Sequence, residues 1–388
     1  MKKYLTLFAA AMMVTACQND EATTEVNHQP GDAITIGVDE SSLTRAMGEF
    51  NQANIGLLAQ KGFGVFACYT GKLLYENTTV SADYMYNQKV IGELVGTDTY
   101  TWVYTPVKYW PNSIDNETGS SNEYVSFFAY APYEANPKDD GRAIIDMSKK
   151  YDLGDPWINF RLPADPWGDP GQVDLMYGVK FGILGTTGWE DELFIDQKKS
   201  TYGVDGKMNF QFRHALACIG DVITVKLTPE MATYIDGYAT ITLNKLTIVY
   251  KNLTTKGRLV LNSPSGPNWK EIISGELTTE RTYTKEFATP ITLTTTAQEL
   301  STGEGLFYIP LRVKGTEAPV AEVTVDYTID NGVSTYTGQS TATIPMDLTL
   351  EGQKQGIDIQ VTKGLDLLHP VFLLGSPAEE PSYSRQAK

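Results

Sequence analysis

The residues with chemistry to offer are three histidines, three cysteines, an acid-rich turn and one isolated arginine. His28, His214 and His369 are far apart, and none has a second histidine or an acid at metal-ligand spacing on a shared element. His214, in "FRHALA", has the right type for a general base, but its apolar surroundings make it a core or domain-junction residue. GxSxG, the phosphate-binding glycine loop and HExxH are all missing. "DPWGDPGQVD" (165–174) is rich in Asp, yet it lacks the spaced carboxylates and glycine of a calcium loop. Its two Asp-Pro steps read as turns. Trp102, Trp110 and Trp157 have the flat faces that stack on sugars, but aromatics at strand spacing more often form core. The 47 acids hold too many carboxylate pairs for any pair to suggest a glycosidase. These residues name no catalytic group, no metal site and no cofactor. Arg45 is the only Lys or Arg between Lys3 and Lys61, and it sits among Asp32, Asp39, Glu40 and Glu49. Such a residue is either a solvated charge or the single target of a basic-directed protease in an exposed linker. Lys61, in "AQKGFG", is a second such target in a less open setting.

Ahead of Arg45 the chain carries an export signal. "MKK" is a positive n-region and "YLTLFAAAMMV" an apolar h-region too short to span a bilayer. "VTAC" follows and resembles the lipobox of bacterial lipoproteins. The resemblance implies removal of residues 1–16, acylation of the Cys17 thiol, and membrane attachment without a spanning helix. No later apolar run approaches a membrane span. Cys68 and Cys218 lie 150 residues apart, outside any CxxC motif. Both sit in apolar runs and read as buried thiols. The compartment of an exported protein permits a disulfide between such a pair, and the sequence leaves that open.

Length gives room for two or three domains, and the formal charge of -16 makes nucleic acid a poor partner. Twenty-two Tyr, with 34 Gly and 19 Pro, favour strands and turns over helices. Residues 17–45 read as a polar tether followed by a first strand, "AITIGV", with Ile34, Ile36 and Val38 on one face. "GFGVFACYTG", "TYTWVYTP", "EYVSFFAYAP", "PWINFRLP" and "VDLMYGVKF" predict further strands, and "MGEFNQANIGLL" one short helix. Later come "FQFRHALACIGDVITVKL" and "ATITLNKLTIVY", whose alternation slips near Asn244 as at a bulge. In "AEVTVDYTIDNG", Val323, Val325, Tyr327 and Ile329 share a face, and Asp330-Asn331-Gly332 is a hairpin turn. Ile357, Ile359 and Val361 alternate in "GIDIQVTKG". The pattern is all-β: two tandem β-sandwiches over 46–205 and 206–375, then a disordered tail, 376–388.

"GFGVFACYTG", "YTPVKYWPN", "VSFFAYAPY", "DLMYG" and "FRHALA" occur in that order behind the lipobox. Together with "LTRA" around Arg45 they resemble the fimbrillins, the type V pilins of Bacteroides-group bacteria, over most of the chain to about residue 360. The resemblance implies transthyretin-like sandwiches and lipoprotein export to the outer membrane. It implies cutting between Arg45 and Ala46 by an Arg-directed protease, and loss of the strand holding Ile34, Ile36 and Val38. A neighbouring fimbrillin's C-terminal strand then fills the groove; here Ile357, Ile359 and Val361 match the leaving triad in type and spacing. Strand addition of this kind restores hydrogen bonds and pocket contacts together. The alternative for the second triad is an ordinary strand paired within its own domain. The tail after residue 375 and the missing C-terminal tryptophan depart from the stalk pattern. They point toward a tip or accessory subunit, or toward a lipid-anchored adhesin that binds surface glycans or proteins and is not polymerised.

Overall fold

The computed structural model describes residues 33–39, 55–97, 99–111, 123–168, 171–180, 184–185, 188–189, 191–199, 207–263, 268–271, 278–300, 305–311, 317–346, 354–364 and 370–375. The first part of the chain runs β1 (Thr35–Val38), α1 (Ile55–Lys61), β2 (Phe63–Gly71), β3 (Met85–Leu94), β4 (Tyr100–Val103), β5 (Tyr124–Ala131), β6 (Ile144–Met147), β7 (Trp157–Arg161), β8 (Met176–Val179), β9 (Leu184–Gly185), β10 (Gly188–Trp189) and β11 (Phe194–Gln197). It continues with β12 (Lys207–His214), β13 (Ala217–Leu227), α2 (Pro229–Ile235), β14 (Thr240–Thr254), β15 (Lys256–Val260), β16 (Asn268–Glu271) and β17 (Thr278–Thr292). The last elements are β18 (Gln298–Glu299), β19 (Leu306–Tyr308), β20 (Val320–Asp330), β21 (Thr335–Pro345), β22 (Lys354–Thr362) and β23 (Val371–Gly375). The chain is thus nearly all-β, as its composition predicts.

The first sheet has the order β1-β12-β8-β5-β2-β3-β4, with β11 also paired to β5. Its central strands explain the unbroken apolar runs of the sequence. One face of β2 and β5 gives Phe63, Val65, Ala67, Val125, Phe127 and Ala129 to a first core. The other face gives Phe66, Cys68, Phe128 and Tyr130 to a second. Strands covered on both faces carry no polar alternation.

The sheets do not separate at residue 205. β12, which follows that point, pairs antiparallel with β8 and parallel with β1 in the first sheet. The chain passes into the second set of sheets between His214 and Ala217. A further sheet, β16-β15-β7-β6, joins segments from both sides of residue 205, with Leu259 opposite Ile158. The second core runs continuously from Phe66 to Val361.

The remaining sheets, β18-β13-β22-β23 (with β19 also on β13) and β17-β14-β20-β21, follow the alternation closely. Val323, Val325, Tyr327 and Ile329 are all buried along β20, and β20 and β21 form the expected hairpin. Gly332 takes the positive φ of 76° within that turn. The slip at Asn244 is a bulge, where both partners of β14 shift register between Leu243 and Lys245. Of the short helix expected in 47–58, residues 55–58 are described and fall in α1; the rest lies outside the described residues. The sequence reading missed α2, although Thr228 caps it by accepting from the Met231 N–H at 3.2 Å and Pro229 opens it.

Candidate functional site at the first strand

β1 is a four-residue strand that closes the first sheet. Its ladder to β12 is parallel, with Ile36 beside Met208 and Val38 beside Phe210. On its other side it meets the far end of the same sheet. The Ile34 N–H donates to the Lys108 carbonyl at 2.8 Å, and the Tyr104 hydroxyl donates to the Ile34 carbonyl at 2.6 Å. Ala33 forms an isolated bridge with Tyr109. Burial pushes the Tyr104 pKa up to about 12, so this hydroxyl remains a donor at neutral pH.

The predicted inward face of this strand is present. Ile34, Ile36 and Val38 are 2%, 2% and 7% exposed and join the core containing Phe63, Trp102 and Phe210. Full burial of one such side chain contributes about 1.5–3 kcal/mol, so the triad is worth very roughly 5–9 kcal/mol. That is comparable to the stability of a whole domain. An emptied slot would expose apolar side chains and the unpaired edge of β12, which is a template for another strand.

A polar relay that sequence reasoning missed holds the exit of β1. The Asp39 N–H donates to the Phe210 carbonyl at 2.8 Å, and Gln211 Nε2 donates to Asp39 Oδ2 at 2.8 Å. Arg213 Nη2 donates to Gln211 Oε1 at 2.8 Å, and Arg213 grips Asp191 through Nε and Nη2 at 2.8 and 2.9 Å. The alternation of "NFQFRH" was the available signal: Phe210 and Phe212 enter the core, so Gln211 and Arg213 share the other face.

Ile357, Ile359 and Val361 occupy a different position. They are fully buried in β22, beside Ile223, Val225 and Leu227 of β13 in a parallel ladder. On the other side β22 pairs antiparallel with β23. The triad is therefore an interior strand of its own sheet here, the alternative that the sequence left open.

Cys17, Arg45, Ala46, His28 and His369 lie outside the described residues. His214 sits where the chain leaves the first sheet, with Nδ1 2.8 Å from Oδ1 of fully buried Asp174. Asp174 is thus drawn out of the acid-rich stretch into an ion-pair geometry, while Asp165 accepts from the Trp167 N–H within the turn. Trp102 and Trp110 are core residues of the first sheet, and the Arg258 guanidinium covers the Trp157 ring at 3.7 Å. The three indoles do not form one platform. Cys68 and Cys218 are free and buried. Burial, with the charges of Asp83 and Asp155, pushes the Cys68 thiol up to about 12, and burial raises Cys218 as well. Neither is a thiolate nucleophile near neutral pH. No helix among the described residues is long and apolar enough to cross a membrane.

No protein-family model matches the chain. In sequence it is 27% identical over 235 residues to the fimbrium subunit Fim1C of Phocaeicola vulgatus. The match takes in 59% of this chain and 52% of that protein, so the chain spans about half the length of the curated relative it matches. In structure it resembles a fimbrial protein from Bacteroides vulgatus with a TM-score of 0.61 at 20% identity. That superposition covers 89% of this chain and 98% of the other, and it is a likeness of fold. The family resemblance carried by the five sequence phrases therefore stands: this chain has a fimbrium subunit of the Bacteroides group as a relative in sequence.

Proposed function

We propose that this chain is a structural subunit of a cell-surface fimbria, exported as a lipoprotein precursor and polymerised by strand exchange. The observation that carries the reading is β1, whose three apolar side chains fill a core slot although only four residues pair along one ladder. In this reading Cys17 carries the lipid that holds the precursor at the outer membrane. An Arg-directed protease cuts between Arg45 and Ala46, six residues beyond Asp39. Before the cut β1 rebinds at the high effective concentration of a tethered segment; after it, rebinding is bimolecular and a competing strand takes the slot. The occupant comes from another fimbrillin subunit and lies on β12 with alternating side chains where Ile34, Ile36 and Val38 were. Ile357, Ile359 and Val361 have the matching pattern, and donation requires β22 to leave both β13 and β23. The transthyretin-like description of the two halves belongs to the same reading.

That last requirement favours one rival. An interior β22 suits a protein that keeps its first strand and its lipid and acts as an anchored surface adhesin. The two separate on treatment of the intact chain with an Arg-specific protease. The fimbrial reading expects cutting after Arg45, dissociation of β1 and a ladder of stable oligomers, with Arg45→Ala remaining monomeric. A chain cut after Arg45 that retains β1 and stays monomeric would contradict it.

A further inference from the structure

The loop joining β2 to β3 builds a second concave surface unrelated to the β1 slot. It encloses a cleft of about 960 Å³, at the upper end of ligand-site sizes, bordered by Tyr69, Leu73, Leu74, Glu76 and Asp83. The loop is anchored at several points. The Tyr75 N–H donates to Asp196 Oδ1 at 2.8 Å, and the Tyr75 hydroxyl to Asp155 Oδ1 at 2.9 Å. Asp155 also accepts from Asn77 and Asn262 at 3.2 and 2.8 Å. The Gly154 N–H donates to the Val80 carbonyl at 2.9 Å, and Ser81 bridges Leu153. The cleft is therefore held in shape before any ligand arrives.

Its rim is apolar and open. Leu73 and Leu74 are 75% and 64% exposed, and Leu153, on the segment that braces the loop, is 69% exposed. Isolated exposed leucines need no account, but adjacent ones around an anchored cleft mark a contact surface. Tyr69 is 42% exposed and packs against Tyr84 with ring centroids 5.9 Å apart. Both charged residues lining the cleft, Glu76 and Asp83, are acidic. Tyr69 gives an aromatic face to a cation, and the carboxylates give it a counter-charge.

We propose that this cleft binds an extended, basic segment of a partner polypeptide. Its Lys or Arg lies over Tyr69 with the charge toward Asp83 and Glu76, and flanking apolar side chains pack on Leu73 and Leu74. The partner is defined by that chemistry: alternating apolar and basic residues in an extended chain. The site is separate from strand exchange and works with β1 in place.

The test uses the intact chain and acetylated, amidated octapeptides in which leucine alternates with arginine, serine or glutamate, titrated by calorimetry. The arginine peptide should bind at least tenfold more tightly than the serine peptide, and more weakly as salt rises. The double variant Glu76→Gln, Asp83→Asn should lose that preference while keeping its melting temperature. Leu73→Ser with Leu74→Ser, both at exposed positions, should weaken all three peptides alike. Equal binding of the arginine and glutamate peptides would overturn the proposal. So would binding that survives the double variant, or saturation by neutral oligosaccharides with no peptide bound.

Discussion

β1 and β22 are built alike and held differently. Each carries three alternating β-branched side chains into a core, and each lies parallel beside a member of the consecutive pair β12 and β13. β1 has four residues, one ladder, and a second side closed by a few bonds to Lys108 and Tyr104. β22 has nine residues and a ladder on each side. It is also pinned by a buried charge: Asp358 accepts from Thr224 Oγ1 and Gln360 Nε2 at 2.8 Å each and lies 3.4 Å from Lys226 Nζ. In the proposed exchange, matching side-chain patterns would let one strand take the slot of the other, while backbone partners decide which one leaves. Local opening follows the same rule, being easiest where few backbone bonds and contacts must break together.

Placing a charge in each triad should widen the contrast most. Ile359→Asp buries a carboxylate between two paired strands and should cost more than about 4 kcal/mol, abolishing the fold of the second half. Ile36→Asp should release β1 alone. Limited proteolysis should then trim residues before α1 and leave a resistant core. Equal global collapse of both variants, read by melting temperature and protease resistance, would remove the distinction.

The charge at Asp358 should give β22 an acid sensitivity. Burial alone raises its pKa, but hydrogen bonds from Gln360 and Thr224 and the Lys226 charge outweigh this and leave it lowered. A carboxyl lowered in the folded state stabilises above its unfolded pKa of about 3.9, and the gain is lost as pH falls through the folded value. The second half should thus lose stability below roughly pH 4. Asp358→Asn should remove that acid-dependent loss and cost roughly 1–3 kcal/mol at neutral pH. Denaturant melts at pH 3 and 7 give the comparison, and a pH dependence unchanged in the variant would assign it to other groups.

The smallest effect is expected at the exit of β1. Gln211→Ala removes the bond to Asp39 and one acceptor of Arg213, at about 0.5–1.5 kcal/mol. Hydrogen exchange at Ile36 and Val38 should quicken several-fold while β22 amides stay unchanged. Equal acceleration in both strands would show that the relay supports the whole fold.

Much of this contrast was legible in the sequence, and its decisive part was not. The inward faces of β1, β20 and β22 follow from alternation, because a side-chain period of two admits a single choice of buried face. The bulge at Asn244 shows as a slip in the same period. Pairing between distant segments leaves no local mark. Nothing near Ile357 says that β23 covers its second edge, and nothing near residue 205 says that β12 rejoins the first sheet or that β15 reaches β7. The cleft escaped notice for a similar reason. Leu73 and Leu74 are ordinary loop residues until Asp155 and Asp196, distant in sequence, anchor the adjacent Tyr75.

The most direct test of the central claim is the intact mass and N-terminal sequence of the protein sheared from the cell surface. The account predicts a chain that begins at Ala46, carries no lipid and lacks β1. An uncut chain with a diacylated Cys17 as its first residue would contradict it and leave β1 as a permanent stave of the first sheet.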